Sequence, residues 1–153
     1  MKINRSSDLP LDEFIEFALY DKQFGYYMKK NPFGKEGDFI TAPNITRLFS
    51  EIVAIWVITF WKSLGSPKKF NLVELGAGNG EMMKVVITTL KNFPEFFHNC
   101  VFLMHEKSEL LTKQQKLNLQ SFQKKFQLVQ LRLLDPYIEV DFDCFFLQIK
   151  HLL

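Results

Sequence analysis

Three glycines alternate with Ala77 and Asn79 in the run Glu74-Leu75-Gly76-Ala77-Gly78-Asn79-Gly80. Glycine lacks a Cβ and accepts positive φ, so the chain can reverse tightly after Leu75 and leave bare amides open to a ligand at Gly78. A helix beginning just afterwards turns its unpaired N–H groups toward the same spot. Glu74 adds a carboxylate suited to an ammonium group or a sugar hydroxyl. A second acid, Glu106, follows the apolar run Val101-Phe102-Leu103-Met104-His105, where it can meet a ribose. These residue types in this order point to a site for a nucleotide-like ligand.

The elements that must carry these groups can be read on either side. Phe70 to Leu75 is a short apolar run that predicts a buried strand, and Met83, Val86, Ile87 and Leu90 give helical spacing until Pro94. With Val101 to His105 as the next strand, this is a βαβ unit, which requires parallel pairing. Ser108 is an N-cap candidate for a helix running to about Lys124, with Leu110, Leu111, Gln114 and Leu117 on related faces. Phe126 to Leu131 alternates as a third strand, Asp135-Pro136 is a turn, and Asp143 to Ile149 is a fourth strand.

Upstream, Leu11, Phe14, Ile15, Ala18 and Leu19 define an amphipathic helix, and Gly25 allows a turn among tyrosines expected at the edge of the core. A polar loop over residues 31–38 leads to Thr41, an N-cap candidate, with Pro43 early in the helix. One long helix is predicted to follow, placing Ile45, Leu48, Phe49, Ile52, Val53 and Trp56 on its buried side. Its run Ile52 to Trp61 carries no charge, but Glu51 and Lys62 bracket it far too closely for a membrane span, which needs about 20 apolar residues. A buried helix is the expectation, with no membrane insertion.

Composition is that of a globular chain. Of 153 residues, 47% are hydrophobic and 24% charged. Nineteen basic against 17 acidic residues is too even a balance to argue for nucleic acid. The 17 phenylalanines accompany abundant Lys, Ile and Asn, so compositional bias explains them before a stacking surface does. Cys100 and Cys144 form neither a disulfide framework nor a metal spacing, and His98 has no ligand cluster around it. No metal is expected. The N-terminal residues lack the apolar segment of a secretory signal, so the location expected is cytoplasmic, or the mitochondrial matrix in a eukaryote.

Gly-x-Gly-x-Gly by itself is shared by dehydrogenases, flavoproteins and methyltransferases. A dehydrogenase wants glycine or alanine where Glu81 stands and its ribose acid about 20 residues on. Glu106 lies 30 residues beyond Gly76. A phosphate loop needs Gly-Lys-Ser or Gly-Lys-Thr, which is missing. The plainest alternative is a tight turn in an ordinary α/β domain.

The run Glu74 to Gly80 resembles the first motif of class I S-adenosylmethionine-dependent methyltransferases. Further segments narrow the resemblance: Ala18-Leu19-Tyr20-Asp21 with Phe24-Gly25-Tyr26-Tyr27, Gly37-Asp38-Phe39-Ile40-Thr41-Ala42-Pro43, Phe49-Ser50-Glu51, and Glu106-Lys107-Ser108 with Gln115. Across residues 10–120 the chain is similar to the N-terminal part of the MidA family, whose mitochondrial members act in respiratory complex I assembly as protein arginine methyltransferases. The resemblance implies an incomplete Rossmann-like class I methyltransferase fold (α/β, parallel-sheet βαβ units) over residues 67–153, preceded by an N-terminal helical segment over residues 1–66. It implies S-adenosyl-L-methionine as cofactor, with Glu74 and the turn Gly76, Ala77, Gly78, Asn79 and Gly80 holding the methionine end and Glu106 accepting from the ribose hydroxyls. Asp38 and Thr41 would approach from the other side; a turn carboxylate and a helix cap are their local alternatives.

The chain departs from the family at Asn44, commonly Glu, and at Ser50, commonly Gly. It departs most after the fourth strand, where the family continues Ala-Asn-Glu-Phe-Phe-Asp-Ala-Leu-Pro and this sequence has Leu147-Gln148-Ile149-Lys150-His151-Leu152-Leu153. An arginine substrate needs carboxylates to orient its guanidinium, and the acidic motif is missing. The expectation is therefore a truncated protein arginine methyltransferase acting on a protein substrate such as a complex I subunit, with a separately encoded C-terminal half as a possible partner. The alternative is a non-catalytic cofactor-binding or interaction fragment, or a gene remnant. Catalytic residues are not identified.

Overall fold

The computed structural model describes residues 9–34, 37–129 and 144–147. Four strands, β1 (Phe70–Leu75), β2 (Cys100–His105), β3 (Phe126–Val129) and β4 (Cys144–Leu147), form one parallel sheet in the order β3-β2-β1-β4. Phe70, Leu72 and Val73 are all buried, as expected of a strand covered on both faces. β1 and β2 pair from Phe70↔Cys100 to Leu75↔His105. The two strands therefore end level, and the residues that follow them emerge side by side. Strand order reverses at β1, the point where open α/β sheets hold ligands beyond the strand ends.

Between β1 and β2 lie α5 (Glu81–Leu90) and a short α6 (Pro94–Asn99), which begins at the proline that ends the predicted helical spacing. Between β2 and β3 lies α7 (Glu109–Asn118). Upstream are α1 (Leu11–Tyr20), α2 (Tyr26–Lys29), α3 (Ala42–Ile45) and α4 (Arg47–Ser63). The last of these shares its core with the sheet. Ala54, Val57, Ile58 and Trp61 join Phe70, Leu72, Met83, Leu90 and Phe96 in one buried cluster. Phe70, Phe96 and Trp61 meet ring to ring, with the Phe70 and Phe96 centroids 4.9 Å apart and Trp61 5.3 Å from Phe96. Edge-to-face contacts of this kind add to simple burial. The Trp61 indole N–H donates to Pro67 O at 3.0 Å, so its polar end is satisfied.

The long helix expected after Thr41 is broken. Thr41 makes no side-chain cap; its hydroxyl accepts from Asn44 Nδ2 at 2.9 Å. Thr46 is extended, at φ −150° and ψ 137°, and its hydroxyl accepts from the Leu48 amide to start α4. The buried side of α4 also differs from expectation. Ile45, Leu48, Ile52 and Trp56 are exposed and Phe49 and Val53 half-buried, while Ser50, Ala54, Val57, Ile58 and Trp61 face the core. A helix apolar nearly all round carries little phase information, so the sheet decided which side to cover.

α7 is shorter than expected, and of the residues expected on its inner faces Leu111 is buried, Leu110 and Gln114 are half-buried and Leu117 is exposed. Ser108 does cap it, accepting from Leu111 N, but the helix ends at Asn118, and Gln115 is buried beside Leu111 in the sequence of inner positions. Asp21 accepts from the amides of Gln23 and Phe24 in the turn after α1, and the tyrosines that follow are half-buried, with Tyr20 stacked on Tyr27 at 5.7 Å. The Asp135-Pro136 turn lies outside the described residues.

Candidate functional site

β1 delivers the glycine turn, and β2 holds it. Gly76 N donates to His105 O at 2.9 Å and Ala77 N to the same oxygen at 3.3 Å, a consequence of the level strand ends. Gly76, Gly78 and Gly80 all have positive φ, at 68°, 55° and 78°, a region that side-chain-bearing residues enter only at a cost. The turn closes with Gly80 N donating to Ala77 O at 2.9 Å, and Asn79 Oδ1 accepts from Glu81 N at 3.2 Å, satisfying an amide at the start of α5.

Glu106 stands beside the turn. Its Oε2 accepts from Gly78 N at 3.0 Å and its Oε1 from Ser108 N at 2.9 Å. Each oxygen keeps a second lone pair for a further donor. Burial raises its pKa, with the backbone hydrogen bonds opposing. Glu74 is 5% exposed, and its Oε2 has no hydrogen-bond partner among the described residues. Burial, with a smaller push from the Glu106 charge, raises its carboxyl to about 8. A buried acid without a partner is costly, and a cation placed against it would lower that cost.

Glu74 lines a small cavity of about 30 Å³ together with Thr41, Asn44, Gly78, Asn79 and the ring of Phe33. Thr41 and the glycine turn, distant in sequence, thus share one space. Asp38 is not part of that lining. Its carboxylate is exposed, paired with Lys30 Nζ at 2.8 Å and accepting from Tyr26 Oη. Lys30 and Tyr26 hold its pKa below the usual range.

Other residues prove to belong to the site that motif reading did not assign. Phe33 packs over Gly78 so closely that a Cβ there would sit 3.1 Å from its ring. The Gln115 Nε2 donates to Gly78 O at 2.7 Å, the Asn118 Nδ2 to Asn79 O at 2.9 Å, and the Ser108 hydroxyl to Tyr27 O at 2.6 Å. Gln115 stood in the sequence at a matching position, but nothing local showed what it would bond. Among the described residues there is no group of three or more His, Cys, Asp or Glu able to hold a metal ion, and no helix long and apolar enough to cross a membrane. The amide expected to be bare at Gly78 is instead held by Glu106, and those of Gly76, Ala77 and Gly80 by backbone oxygens, so the arrangement offers the Asn79 amide, a helix start, an acid for a cation and an acid for a diol.

Comparison with known proteins bears on this geometry. The family model described as "Putative S-adenosyl-L-methionine-dependent methyltransferase" matches residues 52–149. Over 116 residues the chain is 41% identical to the mitochondrial protein arginine methyltransferase NDUFAF7 homolog of Drosophila melanogaster, covering 74% of this chain and 26% of that protein. Over 120 residues it is 32% identical to the human mitochondrial protein arginine methyltransferase NDUFAF7, covering 77% and 27%. The chain spans about a quarter of the length of these curated relatives. A Burkholderia thailandensis protein solved with S-adenosyl-homocysteine bound shares the fold, with a TM-score of 0.67 at 23% identity over 80% of this chain and 33% of that one.

Proposed function

We propose, from the premise that this chain belongs to the S-adenosyl-L-methionine-dependent methyltransferase family, that its glycine turn binds S-adenosyl-L-methionine. The observation that carries the reading is the juxtaposition of three positive-φ glycines at the end of β1 with Glu106 at the end of β2, joined by the Gly78 hydrogen bond. The unpartnered, buried Glu74 fits the cofactor's ammonium group. In this reading, the turn Gly76, Ala77, Gly78, Asn79 and Gly80 and the start of α5 hold the methionine carboxylate, Glu106 accepts from the ribose hydroxyls, and Thr41 closes the opposite wall. Asp38 acts at one remove, latching its loop through Lys30 and Tyr26.

When bound, the cofactor supplies a methyl group already activated on a sulfonium. The protein's part is to align an acceptor with it and exclude water. The relatives' names support a protein arginine as acceptor and a mitochondrial location, with the matrix and a respiratory complex I subunit as the finer reading from the resemblance. Because the chain spans about a quarter of those relatives, binding and turnover are separate claims.

Calorimetry separates them. The chain is expected to bind S-adenosyl-L-methionine, and Gly78→Val to abolish binding, because valine at φ 55° is strained and its side chain meets Phe33. A folded wild-type chain that takes NADH but not S-adenosyl-L-methionine would overturn the proposal. Methyl transfer to arginine peptides then tests activity on its own.

A further inference from the structure

We infer that Gln115 is a positioning residue that sets the orientation of the Gly78–Asn79 peptide and so presents the Asn79 N–H as a carboxylate donor, while Asn118 holds the next peptide, Asn79–Gly80, through Asn79 O. What that N–H binds rests on the proposed cofactor reading; the orientation does not. The two side chains lie three residues apart on α7, on one face of the helix, and donate to two consecutive carbonyls of the glycine turn, Gly78 O and Asn79 O. A peptide is planar and trans, with its C=O and N–H on opposite edges. Holding Gly78 O toward α7 therefore turns the Asn79 N–H away from α7. Gly78 and Asn79 both line the cavity that Glu74 enters.

The clamp answers a weakness of the turn itself. Glycines accept several backbone conformations at little cost, so a glycine turn can flip a peptide and withdraw its donor. The Gly78 N–H is already engaged by Glu106 and the Gly80 N–H by Ala77 O, which leaves Asn79 as the amide whose direction the clamp governs. The contact is close, for a Cβ on Gly80 would lie 3.1 Å from Gln115 Cγ. Stability alone does not account for Gln115. It is fully buried, and its Oε1 has no hydrogen-bond partner among the described residues, a cost that an apolar side chain of similar shape avoids.

The test is Gln115→Met, which keeps shape and loses the N–H donor. In the ligand-free protein, the Asn79 amide resonance is expected to shift, with the melting temperature unchanged or higher. Affinity for S-adenosyl-L-methionine is expected to fall at least tenfold, and affinity for its decarboxylated analogue to hold. Leu111→Ala, on the same helix, should lower the melting temperature without changing that preference. An unmoved Asn79 resonance, or equal losses for the two ligands, would overturn the inference. Should the wild-type chain bind neither ligand, the cofactor reading falls, and the Asn79 resonance still decides whether the clamp exists.

Discussion

Gly78 and Glu106, 28 residues apart in the chain, are joined by a 3.0 Å hydrogen bond from the Gly78 amide to the Glu106 carboxylate. It ties the turn after β1 to the end of β2, and it exists because Leu75 and His105 pair at the last step of the register. One acid thus braces the turn and offers its remaining lone pairs to a ligand. Glu106→Gln keeps the shape but removes the charge. It is expected to weaken S-adenosyl-L-methionine binding by about tenfold or more, since a hydrogen bond to a charged group contributes roughly 1.5–3 kcal/mol. Calorimetry would detect this, and an unchanged affinity would detach Glu106 from the ligand.

Glu74 predicts a pH dependence whose sign follows from linkage. Its folded carboxyl titrates at about 8, against an ordinary value of 4.5. Between these values the folded chain holds a proton that the unfolded chain has released, so stability falls as pH rises, on the order of 1 kcal/mol per pH unit. The stability is fully present below the unfolded value and lost through the folded one. Burial moves Glu106 in the same direction. Urea midpoints measured at pH 5 and pH 8 should drop in the wild type and drop much less in Glu74→Gln. Equal wild-type midpoints would show that Glu74 is not held in a costly environment.

Ser50 is fully buried in α4, and its hydroxyl has no hydrogen-bond partner among the described residues. Ser50→Ala removes that hydroxyl and favours the helix, so it should stabilise the chain by about 1 kcal/mol. Thermal melting checks this. A lower melting temperature would mean that the hydroxyl is satisfied in solution.

Legibility varied with how locally each element is specified. β1, α5 and β2 could be read because a both-faces-buried strand is a continuous apolar run and the glycines punctuate it. The break at Thr46 was hidden, because Thr41 and Thr46 are equally plausible caps, and Asn44 Nδ2 engages the Thr41 hydroxyl. The buried side of α4 was hidden for a different reason: Ile52 to Trp61 is apolar in every direction, so the spacing that put Trp56 on the buried side fitted Trp61 no worse, and Trp61 is the one buried. Only Trp61 reaches Phe70 and Phe96.

At the site, the sequence by itself determined the turn and the order of its acids. Gly76, Gly78 and Gly80 state a requirement for positive φ, which is a property of single residues. The tertiary structure decided what surrounds that turn. Glu106 reaches Gly78 across 28 residues, Gln115 reaches Gly78 across 37, and Asn118 reaches Asn79 across 39. It also buries Glu74 deeply enough to raise its pKa, brings Thr41 into the lining of the same cavity, and leaves Asp38 with Lys30 and Tyr26. Such contacts depend on strand register and helix docking, which arise only when the whole sheet assembles, whereas the φ of a glycine is set where it stands.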